Sequence, residues 1–399
     1  MACHDRFTSR AFKTMCFVNL TITLSAGMTY WLPTNSQSVI IEWIDGNLNK
    51  SDGNDNFNST VEYQESDQAL NIFALILGLQ TWMSLFGAIP AMYISETKGP
   101  KFTITLAAVL QITFQTLTFL SLEVFDSLPT YFACQIIIGI NLGIITTILP
   151  AYNSEISKLQ DRAFFSSLFT FFLKFGGLLI LFLGIEPVLG NRERVSYMYL
   201  VPVVPALIYL VFVFLVVESP AFYAKKRDFV KVREIVSKLY GNCEVEMDID
   251  MDPLDPGQQD VSRTNVSTFQ ALKTYFTNKP LLRSTFYFSL VTTLSVFAAP
   301  NEVTRYSNRI LASFGFSKLL NQLTTAGIFS FFVFVTIPAS FLIDKWRRRV
   351  QLISNAVILG ISMSVLTVLG QLDDQENLGV KWSVIVFMVV SLITYGVRG

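Results

Sequence analysis

Long apolar segments separated by short polar links recur along almost the whole chain. Each apolar segment is close to the roughly 20 residues that a helix needs to cross the hydrocarbon core of a bilayer. The pattern predicts ten membrane-spanning helices, at residues 12–32, 69–94, 102–122, 128–150, 163–185, 197–217, 284–301, 323–343, 351–370 and 382–399. We therefore expect an all-α polytopic membrane protein.

The first apolar segment has two possible interpretations. It follows Arg6 and Arg10 and has a modest apolar core, as a secretory signal peptide does. However, it is long, ends in Tyr30 and Trp31, and lacks a small-residue cleavage site. We interpret it as an uncleaved first span with an aromatic anchor at the membrane interface.

Charged residues alternate between the two sides of the predicted spans. Basic residues mark the N-terminus and every second link, and acidic residues mark most of the others; the link with Arg192 and Arg194 is mixed. Because cytoplasmic links carry an excess of Lys and Arg, this pattern predicts a cytoplasmic N-terminus. The expected location is the plasma membrane.

The link at residues 33–68 is predicted to be an external loop. It is acidic and contains the sequons Asn49-Lys-Ser and Asn58-Ser-Thr, which are acceptors for N-glycosylation on exposed loops. We therefore expect Asn49 and Asn58 to be glycosylated.

One long polar segment divides the chain into three parts. Residues 1–217 are predicted to form an N-terminal six-helix bundle, 218–283 a cytoplasmic helical linker, and 284–399 an incomplete C-terminal bundle of four helices. Within the linker, residues 222–240 have the spacing of an amphipathic helix, with one apolar face made by Phe229, Val232, Ile235 and Leu239.

Composition excludes several classes of protein. The chain has 399 residues, of which 51% are hydrophobic and only 15% are charged, so it is not an ordinary soluble domain. Its formal net charge of zero indicates no nucleic-acid partner. Four scattered cysteines and the single His4 predict neither a metal site nor a histidine-based catalytic triad. We expect no enzyme activity and no cofactor, and the bilayer and a small solute as partners.

The stretch from residue 134 to residue 162 combines several motifs. Gly139 and Gly143 have G-x-x-x-G spacing, which lets another helix backbone approach closely. The apolar run stops at Pro150, and a short polar link with Glu155 and Arg162 leads to the next span. The link either places a functional carboxylate and arginine at the membrane surface or is an ordinary solvated connection.

This stretch resembles helices 4 and 5 of the sugar porter family in the major facilitator superfamily. Similar motifs occur elsewhere, at residues 96–101, 218–222, 239–241, 306–315 and 344–349. The chain departs from the family pattern at Cys134 and Gln135, where the family has Gly-Arg. The resemblance implies the major facilitator fold in a 6+4 arrangement, with the last two helices absent because the sequence is a fragment, an alternative product or a defective carrier.

The resemblance also implies a function, which is facilitative alternating access for a small organic solute, hexose-like by family. A cytoplasmic charge network would gate this movement, and its members would be Glu155, Arg162, Glu218, Asp344, Arg348 and Arg349. These charges could instead only determine topology. The alternative functions are a non-transporting sensor or scaffold and a carrier of a small organic anion.

Few of the family's polar ligands match in this chain. The corresponding positions are Thr170, Ser295, Val296, Asn301 and about Phe332, and only Asn301 keeps the family residue. The chain has instead Lys174 near the middle of the fifth predicted span, where a charge is costly.

Three roles are open for Lys174: it contacts a solute, pairs with a carboxylate, or extends its ammonium to the membrane interface. The candidate substrate-binding residues are Thr170, Lys174 and Asn301. No Asp or Glu lies deep in the predicted helices 1, 2, 4, 5 and 8, which favours passive facilitation over proton coupling.

Overall fold

Every regular element that the structure describes is helical. The computed structural model describes residues 10–51, 67–158, 162–240, 277–297, 307, 311, 318–343, 348–371 and 382–390. Up to residue 240 the α-helices are α1 Arg10–Val18, α2 Leu24–Asn35, α3 Gln37–Ser51, α4 Asp67–Lys98, α5 Pro100–Glu123, α6 Leu128–Ile156, α7 Arg162–Leu183, α8 Val195–Met198, α9 Val203–Val211, α10 Pro220–Lys225 and α11 Phe229–Tyr240. They are followed by α12 Lys279–Phe297, α13 Lys318–Ile343, α14 Arg348–Gln371 and α15 at 382–390.

Five described helical segments are long and apolar enough to cross a membrane. They are Arg10–Asn35, Asp67–Lys98, Pro100–Glu123, Leu128–Ile156 and Phe164–Leu183. The first is one continuous span, in which the π-helical turn Asn19–Thr23 joins α1 to α2. The multi-pass helical architecture predicted from the apolar segments is therefore confirmed.

The bundle of α1 to α9 depends on close contact between helix backbones. On α6, a Cβ atom added to Gly139 or Gly143 would overlap a backbone carbonyl oxygen of α4, from Gln80 or Ser84 respectively. On α4, Gly87 approaches the Ile140 carbonyl of α6 in the same way. The G-x-x-x-G prediction is thus confirmed, and α4 is the partner helix.

The prediction for the end of the fourth span was wrong. The helix does not stop at Pro150 but continues to Ile156, so Tyr152 and Glu155 are helical residues rather than link residues. Proline is tolerated inside a spanning helix because neighbouring groups compensate for the lost hydrogen bond. Here the extension is held by tertiary contact, since the buried Tyr152 donates its hydroxyl to the Val217 carbonyl at 2.6 Å.

The sixth span also differs from its prediction as one helix at residues 197–217. It consists of α8, a turn, α9 and a short 3₁₀ turn at Val213–Leu215. Pro202 and Pro205 explain the break, because proline lacks an amide proton and disfavours helical backbone in the residue before it.

The predicted external loop at 33–68 is partly helical, because α3 occupies Gln37–Ser51. Ile40, Ile41 and Ile44 of α3 are fully buried, and α3 packs against α4. These apolar residues have the spacing of one helix face. The segment as a whole is polar on average, so its average polarity does not indicate this face.

The amphipathic helix predicted at 222–240 is divided into α10 and α11. The break lies at Arg227, whose φ of 61° is left-handed. Val232, Ile235 and Leu239 are buried as predicted, whereas Phe229 is 46% exposed because it starts the second helix.

Candidate functional site

The two halves of the described chain meet where α2 and α7 pack against α13. The Trp31 ring of α2 lies 4.8 Å from the Phe329 ring of α13 in an edge-to-face contact. Trp31 also covers Gly177 of α7, where a Cβ atom would overlap the indole. A second contact is polar, since the backbone amide of Glu186 donates to the Gln322 side chain at 3.0 Å.

Lys174 of α7 lies at this junction. Its ammonium nitrogen is 4.2 Å from the centre of the Phe332 ring on α13. An ammonium group over an aromatic face is stabilised by the ring quadrupole, and the attraction is stronger away from water. The junction therefore holds a positive charge against an aromatic wall at the middle of a spanning helix.

Thr170 lies one helical turn before Lys174, so the two side chains share one face of α7. Its hydroxyl donates to the Ser166 carbonyl at 3.4 Å, which leaves the hydroxyl oxygen able to accept a hydrogen bond. The third candidate residue, Asn301, lies outside the described residues. The structure thus places two of the three candidates together on α7, and the site as a whole stays a prediction.

A buried polar network inside the N-terminal bundle was missed by the sequence analysis. The Thr29 hydroxyl of α2 accepts hydrogen bonds from the side-chain amides of Gln111 and Gln115 on α5, the latter at 2.9 Å. Asn141 of α6 donates to the Gln111 oxygen at 2.8 Å. All four residues are at most 2% exposed. The available signal was two amides four residues apart, and therefore on one face, in a helix predicted to span the membrane.

Glu218 caps the beginning of α5. Its carboxylate accepts the Lys101 backbone amide at 3.0 Å and stands against Gly99, whose φ of 100° favours glycine. Such acceptors satisfy the free amides at a helix start. Burial raises the pKa of Glu218 and the nearby Glu155 charge adds to this, while the amides of Lys101 and Ser219 and the Lys101 charge oppose it.

Glu155 of α6 accepts the Ser219 hydroxyl at 2.5 Å, and Ser219 also caps α10. Glu155 and Glu218 thus connect α6 and α5 to the segment that follows the sixth span. Of the other predicted gate residues, Arg162 begins α7, Asp344 lies outside the described residues, and Arg348 and Arg349 begin α14 with side chains that are not described. The gate across the two halves stays a prediction.

The structure says little about the predicted glycosylation sites, and no metal site was predicted. Asn49 lies in the last turn of α3, and Asn58 is outside the described residues. Within the part of the chain that the structure covers, no three His, Cys, Asp or Glu residues are grouped to hold a metal ion.

Comparison with solved structures shows the fold. The chain resembles the xylose transporter XylE of E. coli in a partially occluded inward-open conformation, with a TM-score of 0.68 and 19% identity over 96% of this chain and 85% of XylE. It also resembles XylE described as a major facilitator superfamily proton:xylose symporter, with a TM-score of 0.69. The fold is therefore that of the major facilitator superfamily.

Sequence comparison shows the family. The model of the Sugar (and other) transporter family matches residues 44–397, so the chain belongs to this family. It is 24% identical to hexose transporter 1 of Toxoplasma gondii, over 68% of this chain and 50% of that protein. It is 23% identical to the glucose transporter GlcP of Staphylococcus epidermidis, over 66% and 56% of the two chains. The chain spans about half the length of the curated relatives it matches.

Proposed function

We propose that this protein carries a small, hexose-like organic solute across a membrane by facilitative alternating access. Family membership supports this proposal, and so do the names of the relatives, which are hexose, glucose and xylose transporters. The protein acts as a carrier and not as an enzyme.

The main structural support for the proposal is the difference between backbone contacts inside one bundle and side-chain contacts between the two halves. Inside the N-terminal bundle, glycines bring α4 and α6 into backbone contact. Between the halves, the contacts that the described residues show each involve at least one side chain, as in the Trp31–Phe329, Lys174–Phe332 and Glu186–Gln322 pairs. Side-chain contacts can separate while the bundles stay intact, as rocking of one bundle against the other around a central site requires.

Passive facilitation is the proposed mode of movement. In the described parts of the spanning helices, Asp and Glu occur only near helix ends, as Asp67, Glu96, Glu123 and Glu155 do. Coupling to protons usually uses a titratable carboxylate deep in the membrane.

The proposed solute contacts are Thr170, Lys174 and Asn301. The proposed gate consists of Glu155, Arg162 and Glu218 on one half and of Asp344, Arg348 and Arg349 on the other. Opposite charges at the inner ends of the helices would bridge the halves when that side is closed. Each exposed pair contributes only about 0–1 kcal/mol, but a network can bias a balanced equilibrium.

The proposed orientation places the N-terminus in the cytoplasm and the segment 33–68 outside, in the plasma membrane. The division into 1–217, 218–283 and 284–399 follows from the same assignment. Enzymatic deglycosylation of protein from intact cells tests it, with Asn49→Gln and Asn58→Gln as variants. Loss of a mass shift in the double variant supports an external loop, and sugar on Asn265 would contradict it.

Uptake into proteoliposomes tests the transport function. We expect saturable counterflow of at least one labelled hexose, and Thr170→Ala should lower the rate. Thr113→Ala is the matched control, because its hydroxyl on the exposed side of α5 bonds only to the Val109 carbonyl. Equal rates in the two variants would exclude a role for Thr170.

A second candidate function is transport of a small organic anion. Lys174 favours it, because the ammonium at the junction would attract a carboxylate solute. The same vesicles test this with labelled organic anions. If neither hexoses nor anions show saturable flux, the protein is a non-transporting sensor or scaffold.

A further inference from the structure

The turn between α10 and α11 lies against the last turn of the spanning helix α4. The ammonium of Lys226 donates to the Thr97 carbonyl at 3.3 Å, and that of Lys225 lies 3.8 Å from a Glu96 carboxylate oxygen. Both lysines are exposed. The turn is therefore held at the level where α4 leaves the membrane-spanning region.

The same end of α4 presents an apolar surface to its surroundings. Ile89, Met92 and Tyr93 are 59–70% exposed on α4. Phe102 at the start of α5 is also exposed, and the Lys98 ammonium lies 4.8 Å from its ring centre. In a bilayer such a surface contacts acyl chains, so the basic residues at its end lie at the depth of the lipid headgroups.

Positive charge exceeds negative charge at this corner. We define the basic patch as Lys98, Lys225, Lys226, Arg227 and Lys231, all of which are exposed. Three exposed or half-buried carboxylates lie beside it: Glu96 beside Lys225, Asp228, which pairs with Lys231 at 3.1 Å, and Glu234. Glu234 pairs with Lys238 at 2.6 Å and also attracts the Lys231 charge.

The backbone of the turn brings apolar side chains to the same corner. Arg227 has left-handed backbone geometry, and α11 begins directly after the turn, at Phe229. Phe229 is 46% exposed and Val230 is 80% exposed. Exposed apolar groups among basic residues are typical of surfaces that enter the headgroup layer.

We propose that the basic patch binds the phosphate-containing headgroups of acidic phospholipids, whose acyl chains lie along Ile89, Met92 and Tyr93. Clusters of basic residues beside a spanning helix attract acidic lipids, and each Lys or Arg strengthens the attraction. The continuous apolar surface of α4 favours a lipid over a soluble anion. The proposal is independent of the solute that the protein carries.

The purified full chain in lipid nanodiscs provides the test. Nanodiscs of phosphatidylcholine are titrated with phosphatidylserine, and the midpoint of thermal unfolding is measured. In Lys98→Gln/Lys225→Gln/Lys226→Gln protein, the phosphatidylserine fraction that gives half of the stabilisation should rise at least about tenfold. The matched control is Arg233→Gln, which removes an exposed charge of α11 that is not part of the patch and leaves the Glu234–Lys238 pair intact; it should change this fraction less than about twofold.

Two outcomes would overturn the proposal. The first is equal stabilisation of the patch variant and the wild type. The second is stabilisation by inorganic phosphate in pure phosphatidylcholine to the same extent as by phosphatidylserine, which would indicate a soluble-anion site. If the triple variant does not fold, Lys226→Glu is used in its place. We again expect the phosphatidylserine fraction that gives half of the stabilisation to rise.

Discussion

The Lys174 ammonium of α7 lies 4.2 Å from the centre of the Phe332 ring of α13, and this contact joins the two halves of the described chain. In the family resemblance, the position of Phe332 corresponds to a polar amide. In the structure, Phe332 presents an aromatic face to the Lys174 ammonium. A solute at the proposed site would meet this cation and this ring.

The first prediction concerns this pair. In a double-mutant cycle of Lys174→Met, Phe332→Leu and the double variant, we expect a coupling free energy of about 0.5–2 kcal/mol. Each single variant already removes the whole cation–π contact, so the double variant does not lose it a second time. Denaturant unfolding of the three variants in detergent measures the coupling free energy. Additive effects would mean that the two side chains do not interact.

The same variants separate the two transport proposals. Lys174→Met should abolish saturable flux of an organic anion, because the attracting charge is removed, and should lower hexose flux by a smaller factor, because a neutral solute loses one contact only. Lys174→Arg is the control that keeps the charge. Unchanged anion flux in Lys174→Met would remove Lys174 from the proposed site.

The second prediction concerns the contact of α4 with α6. Gly143→Ala should destabilise the protein by about 1–3 kcal/mol or more, because its methyl group would overlap the Ser84 carbonyl. Gly78→Ala is the control, since no atom lies within 4 Å of an added Cβ there, and it should be neutral or stabilising by up to about 1 kcal/mol. The midpoint of thermal unfolding compares them, and equal midpoints would contradict the packing.

The third prediction concerns the buried network of Thr29, Gln111, Gln115 and Asn141. Gln111→Leu should lower the free energy of unfolding by about 1–3 kcal/mol, because it leaves the Asn141 amide without its acceptor in the bundle interior. Thr113→Val, on the exposed side of the same helix, should change it by less than about 0.5 kcal/mol. A neutral Gln111→Leu variant would show that the network does not stabilise the bundle.

The fourth prediction is a pH dependence at Glu218, whose folded-state pKa is raised above the ordinary value of 4.5, chiefly by burial. The folded state therefore binds this proton more tightly than the unfolded state, and stability decreases as the pH rises from 4.5 through the raised pKa. Glu218→Gln should remove this part of the dependence. Thermal unfolding between about pH 4 and pH 8 measures it, with the exposed Glu234→Gln as control. Parallel curves for wild type and Glu218→Gln would contradict the shift.

Local chemistry explains which predictions were confirmed. Run length and hydrophobicity located α4, α5, α6 and α7, because a bilayer requires about 20 apolar residues regardless of their neighbours. The spacing of Gly139 and Gly143 by itself predicted a close helix contact. In contrast, α3 was hidden in a segment that is polar on average, and only burial against α4 distinguishes its apolar face.

The candidate site divides in the same way. Thr170 and Lys174 were predicted from motif spacing and from a charge in the middle of an apolar segment, and their common face of α7 follows from local helix geometry; their role stays a prediction. Which aromatic ring Lys174 contacts, and that Glu218 caps α5 across more than a hundred residues, could not be found in this way. Such contacts depend on which distant segments pack together, and the periodicity of the sequence does not indicate this.

The amino-acid sequence by itself determined that this protein is a multi-pass helical membrane protein related to sugar porters, because apolar run length, charge alternation and motif spacing are properties of the chain. Only the tertiary structure decided that Pro150 lies inside a helix and that Trp31 and Lys174 meet α13. The reason is physical: tertiary contacts can override the local preference of a proline, and contacts between distant segments depend on long-range packing.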